Sequence, residues 1–350
     1  MTHSSRARSW TRRGAITAGL NTALAALALP ACLQAAPAPA QLLNVSYDVA
    51  RELFAQINPA FTAAWEARTG QSVQVLQSHG GSSAQARAVV EGLQADVVTL
   101  NQVTDILFLQ KSGMVAANWQ QRLPHQASPS YSLPVFLVRA GNPHAIRDWD
   151  DLGRPGVKLV FANPKTSGNG RYAYLGAYAD ALEKNHVDDR KAQEAVGRVL
   201  GNVAVMDTGG RGATTSFVER GVGDVLVTFE SEVNSIRRER PDAGVQIVIP
   251  PRSVQADFPV AVVDKVVDRH GTRELATAYL RFLFTDAAQD ILARNFNRVR
   301  SAAVARRYQG QFPAVQLISL EKRFGSWEEI GHRHFDEGGV LDQLQAQLPH

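Results

Sequence analysis

One cysteine, Cys32, occurs in the 350 residues. A lone thiol closes no intramolecular disulfide and cannot build a cysteine metal site. Long apolar runs are missing too: after residue 40, no stretch is long and apolar enough to span a bilayer. No G-x-x-x-x-G-K-[ST] occurs, so a Walker phosphate loop is excluded. His332 and His334 stand two apart, not the four that puts a zinc pair on one helix face, and no carboxylate motif accompanies them. They read as surface residues. No metal, no cofactor and no catalytic residue is therefore expected. After residue 40 there is also no low-complexity linker and no fixed-period repeat.

Net positive charge is scarce once its location is considered. Four of the 37 Lys and Arg residues (Arg6, Arg8, Arg12 and Arg13) fall in the first 40 positions, which hold no Asp or Glu. The rest of the chain carries 33 basic against 33 acidic residues and is formally neutral. The pI near 9.3 is thus set largely by the start of the chain, and a nucleic-acid partner loses its electrostatic basis. Those 40 residues have the layout of a secretory signal. A basic start is followed by an apolar run from Ala15 to Ala31, then by small residues and prolines at Ala36-Pro37-Ala38-Pro39-Ala40. Export to the periplasm, with cleavage near residue 40, is expected. Cys32 leaves with such a signal, and a chain without thiols suits an oxidising compartment. Arg12-Arg13 matches a twin-arginine signal poorly, and Pro30 weakens Leu29-Pro30-Ala31-Cys32 as a lipid-attachment site.

What remains is 45% apolar and 20% charged over the whole chain, a globular composition. Short Val-, Ile- and Leu-rich runs at Leu42–Tyr47, Val73–Gln77, Ala95–Leu100, Pro134–Val138, Lys158–Phe161, Val203–Met206, Asp224–Phe229, Val245–Ile249 and Pro259–Val263 read as strands. Most lack strict alternation, the pattern of strands buried on both faces. Helical periodicity lies between many of them, as in Ala86, Val89, Val90 and Leu93, or Leu275, Ala278, Tyr279 and Phe282. Strand–helix alternation predicts α/β architecture with parallel sheets.

Four of these strands run into a Gly/Ser/Thr-rich turn and then a helix. Such turns lie at the carboxyl ends of strands, where open α/β sheets bind ligands. The first is Val45-Ser46-Tyr47-Asp48, with Asp48 placed to cap the helix that starts near Arg51. Pro59 is expected to kink or break that helix. The second is Ser78-His79-Gly80-Gly81-Ser82-Ser83, in which Gly80 and Gly81 let backbone N–H groups form a concave nest and Ser82 or Ser83 caps the helix. The third runs from Asn163 through Ser167-Gly168-Asn169-Gly170 to Arg171, and the fourth is Asp207-Thr208-Gly209-Gly210-Arg211-Gly212. Each offers N–H groups at a positive helix terminus, a site for an oxyanion. Lys165, Arg171 and Arg211 flank the turns, either as solvated charges or as direct ligand contacts. Gly80-Gly81-Ser82-Ser83-Ala84 is one residue short of a nucleophile elbow, and no placed base follows.

In this order the four turns resemble the periplasmic sulfate- and thiosulfate-binding proteins of ABC importers. The matching stretches are Leu42 to Asp48, Gln77 to Ser82, Asn163 to Gly168 and Gly209 to Thr215, with Gly141-Asn142-Pro143, Phe217 to Gly221 and Phe324-Gly325-Ser326-Trp327 in agreement. The resemblance implies a two-lobed α/β fold of the type II periplasmic binding class, its cleft between lobes joined by two crossover strands. Lobe 1 would comprise residues 41–133 plus 259–350 and lobe 2 residues 134–258, with crossings near Leu133 and Phe258. It also implies a monomer that delivers its anion to an inner-membrane ABC permease. Carried over residue by residue, it implies backbone donors at Asp48, Ser82, Gly168, Asn169 and Gly210 and a hydroxyl donor at Ser167.

A tryptophan that donates its indole N–H in the sulfate-binding members corresponds here to Phe229. The phenyl ring removes one donor and adds an apolar, polarizable wall, which suits the soft outer sulfur of thiosulfate. Phe229-Glu230-Ser231-Glu232 and Ser167-Gly168-Asn169-Gly170 also resemble the thiosulfate-binding branch. Sulfate and thiosulfate carry no proton near neutral pH, so a cleft made of donors fits them, while a phosphate O–H would need an acceptor such as Asp48. The alternatives are a receptor for another tetrahedral oxyanion, phosphate or molybdate, and a secreted ester hydrolase using Ser82 or Ser167.

Overall fold

The computed structural model describes residues 40–348. The export signal and Cys32 lie outside the described residues. The nine expected strands all form. Strand β1 (Ala40–Tyr47) lies between β2 (Val73–Gly80) and β3 (Val97–Thr99), and β12 (Val260–Val262) completes a four-stranded sheet in the order β12-β3-β1-β2. A five-stranded sheet has the order β7-β6-β8-β5-β9, from β5 (Pro134–Arg139), β6 (Leu159–Ala162), β7 (Val203–Asp207), β8 (Val225–Phe229) and β9 (Val245–Val248). Helices connect the parallel strands, and the apolar runs of β3, β5, β6 and β8 are buried as their unbroken hydrophobicity predicts, whereas β2, β7 and β9, at the sheet edges, are only partly buried.

Both sheets are mixed, not parallel as expected. β1 runs parallel to β2 and β3, but β12 is antiparallel to β3. In the second sheet β6 runs parallel to β7 and β8, and β5 is antiparallel to both β8 and β9. The reversed strands are the two that enter a sheet straight from the other lobe, without a helical crossover to turn the chain around. Strand β4 (Ser130–Ser132) pairs antiparallel with β11 (Ala256–Phe258), Ser130 opposite Phe258 and Ser132 opposite Ala256. One residue later, at Leu133 and at Pro259, the two segments pass into different sheets as β5 and β12. Strand β13 (Arg298–Val299) flanks β4. The protein is thus a two-lobed α/β structure joined by two adjacent crossover strands.

The C-terminal segment lies against the helices of the second sheet. Strand β14 (Gln316–Ile318) pairs with β10 (Arg252–Val254), and Val340–Ala346 packs on the helix Asp189–Gly201. Lys165 Nζ meets Asp342 at 2.8 Å and Arg333 meets Asp189 at 2.6 Å. Strands β4, β10, β11, β13 and β14 have only two or three residues each, too few to show a pattern in the sequence.

Three local expectations are corrected. The helix Arg51–Thr69 runs through Pro59 unbroken. A mid-helix proline costs about 3 kcal/mol, and burial of Leu53, Phe54, Ile57, Phe61 and Trp65 on one helix face outweighs it. His334 is fully buried, not a surface residue. It sits edge-on to Tyr174, Tyr178 and Phe324, with Nδ1 3.0 Å from the Tyr174 hydroxyl. Burial pushes its imidazole down to about 4, so it packs as a neutral ring. His332 is exposed. Neither Ser82 nor Ser83 caps a helix: Gly81 is the N-cap of the helix Ser82–Val90, without a side-chain bond.

Candidate ligand site where five strand ends meet

The four turns converge. Strand β1 ends at Tyr47, and Asp48 opens a short 3-10 turn that leads into the Arg51 helix. The Asp48 carboxylate does not cap that helix as expected: the N-cap is Ala50, without a side-chain bond, and Asp48 lies one turn earlier. Its Oδ1 accepts the N–H of Val49 at 3.0 Å, and its Oδ2 accepts the backbone N–H of Arg211 at 3.0 Å, at the start of the helix Gly210–Thr214. A carboxylate at a positive helix start is favourable, so Asp48 ties the first sheet to the fourth turn. That helix continues as a π-turn over Thr215–Glu219.

The second and third turns touch through backbone. A Cβ on Gly81 would lie 2.9 Å from the carbonyl oxygen of Thr166 and 3.2 Å from that of Thr208. Only a residue without a side chain admits this approach. Thr166 Oγ1 donates to Thr208 O at 2.8 Å, joining the third turn to the fourth. Ser82 is the first residue of its helix and is buried; its Oγ accepts the N–H of Asn101 at 3.3 Å. Ser83 Oγ donates to Asp105 at 2.7 Å.

Ser167 is the N-cap of the helix Gly168–Lys184 and is buried, yet its hydroxyl makes no capping hydrogen bond. Gly168 and Asn169 are the first two residues of that helix, positions whose N–H groups have no intrahelical partner. Asn169 Nδ2 donates to Thr228 Oγ1 at 2.8 Å, which orients its side chain along β8 and beside Gly210. Phe229 ends β8 and is buried. Its ring meets Phe258 edge-on at 5.2 Å and Tyr172 at 6.1 Å, and Phe258 in turn meets Tyr47 at 5.2 Å. Phe229 is thus part of an aromatic stack linking the first strand end to the Gly168 helix.

The flanking cations are neither free nor aimed at an open ligand position. Lys165 Nζ donates to Phe335 O at 2.8 Å and pairs with Asp342. Arg171 bonds Pro164 O at 2.9 Å and Asp105 at 3.2 Å. Arg211 pairs with Glu52 at 2.6 Å. Each is thus already engaged by protein acceptors.

The sequence pattern did not reveal two further groups. One is the turn after β3, Leu100-Asn101-Gln102, which contains neither Gly nor Ser and so lacks the composition of the other four. Both Asn101 and Gln102 are buried against Gly168. The other is Glu232, buried on the helix Glu230–Glu239 and bonded by Thr214 Oγ1 at 2.8 Å. Burial pushes its carboxyl up to about 7, with Arg211 and the Thr214 hydroxyl opposing and Asp48 and Glu52 adding to the rise. No cluster of side chains able to hold a metal ion occurs among the described residues.

The sequence model for bacterial extracellular solute-binding proteins matches residues 42–297. A thiosulfate-binding protein of Escherichia coli K12 is 50% identical to this chain, covering 87% of it and 91% of the relative. A sulfate-binding protein of the same organism is 45% identical, covering 88% of this chain and 93% of the relative. Among solved structures, the sulfate-binding protein SubI from Mycobacterium tuberculosis H37Rv superposes with a TM-score of 0.77 at 33% identity, covering 85% of this chain and all of that one.

Proposed function

The chain belongs to the bacterial extracellular solute-binding proteins, and from that premise we propose that it is the receptor of an ABC importer for thiosulfate, with sulfate as a second ligand. The observation that carries this reading is the meeting of helix starts that offer N–H groups while Lys165, Arg171 and Arg211 are all engaged by protein acceptors. Such a site holds a small proton-free dianion by neutral donors. The ligand set is the backbone N–H groups of Asp48, Ser82, Gly168, Asn169 and Gly210 and the free hydroxyl of Ser167. Phe229 supplies the apolar wall that favours thiosulfate's outer sulfur. Phosphate is disfavoured because its O–H needs an acceptor, and both oxygens of Asp48, the acid placed in these turns, already accept backbone N–H groups.

The protein works in the periplasm after loss of its signal, as a monomer, and hands its anion to an inner-membrane permease. It breaks no bond. Ser82 Oγ is already engaged by Asn101, and His79 turns Nδ1 to Tyr47 O at 3.3 Å rather than to a serine. The lobes divide at Leu133 and Phe258, as the crossover pairing supports, and close on the ligand by a hinge there. The pairing of β14 with β10 and the packing of Val340–Ala346 on Asp189–Gly201 support grouping residues from about 316 onward with lobe 2, although Glu328 also pairs with Lys111 of the first half. Calorimetric titration of ligand-free protein with thiosulfate, sulfate, phosphate and molybdate tests the reading. Tightest binding of phosphate or molybdate would overturn it.

A further inference from the structure

The turn Leu100-Asn101-Gln102 carries two polar atoms that the fold leaves without partners. Asn101 is 1% exposed and its Oδ1 accepts no hydrogen bond; Gln102 is fully buried and its Nε2 donates none. Buried polar groups are nearly always paired, and each exception calls for a reason. The rest of the turn is pinned. Asn101 N donates to Ser82 Oγ at 3.3 Å, and Gln102 Oε1 accepts the N–H of Val103 at 3.0 Å. Facing them is Gly168: a Cβ there would collide with Asn101 Oδ1 and lie 2.8 Å from Gln102 Cβ. Asn101 therefore stands between Ser82 and Gly168, two of the helix starts assigned to the anion, with Gln102 beside it.

We infer that Asn101 and Gln102 are ligand residues: they form a fifth turn of the anion site, and their side-chain amides supply donors that make up for the one Phe229 lacks. The inference rests on the anion-receptor reading above. Gln102 Nε2 is a donor with no protein acceptor, its amide held in orientation by the Val103 cap. A half-turn of the Asn101 amide about its last torsion brings Nδ2 to the place of Oδ1, leaving the backbone and the Ser82 bond unmoved. A dianion then accepts from both amides, and the site gains donors without gaining a cation. A carboxylate at position 101 would repel that dianion and would accept the O–H of hydrogen phosphate.

The test titrates thiosulfate, sulfate and phosphate into ligand-free wild type, Asn101→Ala and Asn101→Asp, with melting temperatures recorded in the absence of ligand. Asn101→Ala is expected to bind thiosulfate ten- to a hundredfold more weakly at an unchanged melting temperature. Asn101→Asp is expected to lose thiosulfate and gain phosphate. Wild-type thiosulfate affinity in both variants overturns the inference and leaves the receptor reading standing; wild type that binds no sulfur oxyanion removes both. A measurement on the unaltered protein is independent of variant folding. The side-chain NH2 resonances of Asn101 and Gln102 in a nitrogen-15 spectrum should shift on addition of thiosulfate, and resonances that stay in place contradict the assignment.

Discussion

Gly81 follows β2 of the first sheet and Thr166 follows β6 of the second, and the α-carbon of Gly81 sits so close to the Thr166 carbonyl that a methyl group would lie 2.9 Å from its oxygen. This contact joins the second turn to the third, and the Asp48–Arg211 bond joins the first to the fourth. Small shifts at either pair therefore change how the lobes meet, not how each lobe folds.

Gly81→Ala should separate ligand binding from stability. Gly81 has φ −55° and ψ 132°, which any residue adopts, so the open protein tolerates alanine. In the closed form the methyl group meets backbone oxygens that cannot swing away, an overpacking cost of about 1–3 kcal/mol. Calorimetry should show thiosulfate affinity reduced by roughly five- to a hundredfold, and the ligand-free melting temperature should stay within a degree or two of wild type.

Ser167→Ala removes a hydroxyl that makes no capping bond. Its loss should leave folding unaffected and weaken the anion by one charge-assisted hydrogen bond, about 1.5–3 kcal/mol. Titration of the variant against wild type, alongside thermal melts of both, reads the two effects separately.

Phe229→Trp restores an indole N–H at the end of β8. The ring space is bounded by Tyr172 and Phe258, so the larger side chain should lower the melting temperature by a few degrees. The ratio of sulfate to thiosulfate affinity should rise. An unchanged ratio would remove Phe229 from the account of selectivity.

Glu232 gives the protein a defined pH dependence. Burial lifts its carboxyl from the ordinary 4.5 of an unfolded chain to about 7 in the folded protein. Between these values the unfolded chain has already lost the proton that the folded protein keeps. Stability from this group is therefore fully present below about 4.5 and falls as pH rises toward 7, by roughly 3 kcal/mol at one pKa unit per 1.4 kcal/mol. Glu232→Gln should match wild type in denaturant unfolding at pH 4.5 and exceed it at pH 8.

The sequence made four of the five turns legible because glycine and serine at strand ends have a physical meaning that composition displays. The strands were readable for a similar reason: unbroken Val, Ile and Leu runs are what burial on two faces demands. The fifth turn stayed hidden because Asn101 and Gln102 are ordinary loop residues until Gly168 is folded against them. Asp48 reads in the sequence as the cap of its own helix, but its carboxylate instead accepts the N–H of Arg211, 163 positions away, and no local pattern encodes that distance. His334 was misread for the opposite reason: polar type and close spacing to His332 said nothing about Tyr174 and Tyr178, more than 150 positions away in the chain, against which the tail packs it.

Neutral donors, with the flanking cations already engaged by protein acceptors, select a proton-free sulfur oxyanion. Titration of thiosulfate into ligand-free protein at pH 8, repeated in a large excess of phosphate, tests it most directly. The account predicts one thiosulfate per chain, with an affinity that phosphate leaves unchanged. Displacement of thiosulfate by phosphate, or tighter binding of phosphate alone, would contradict it.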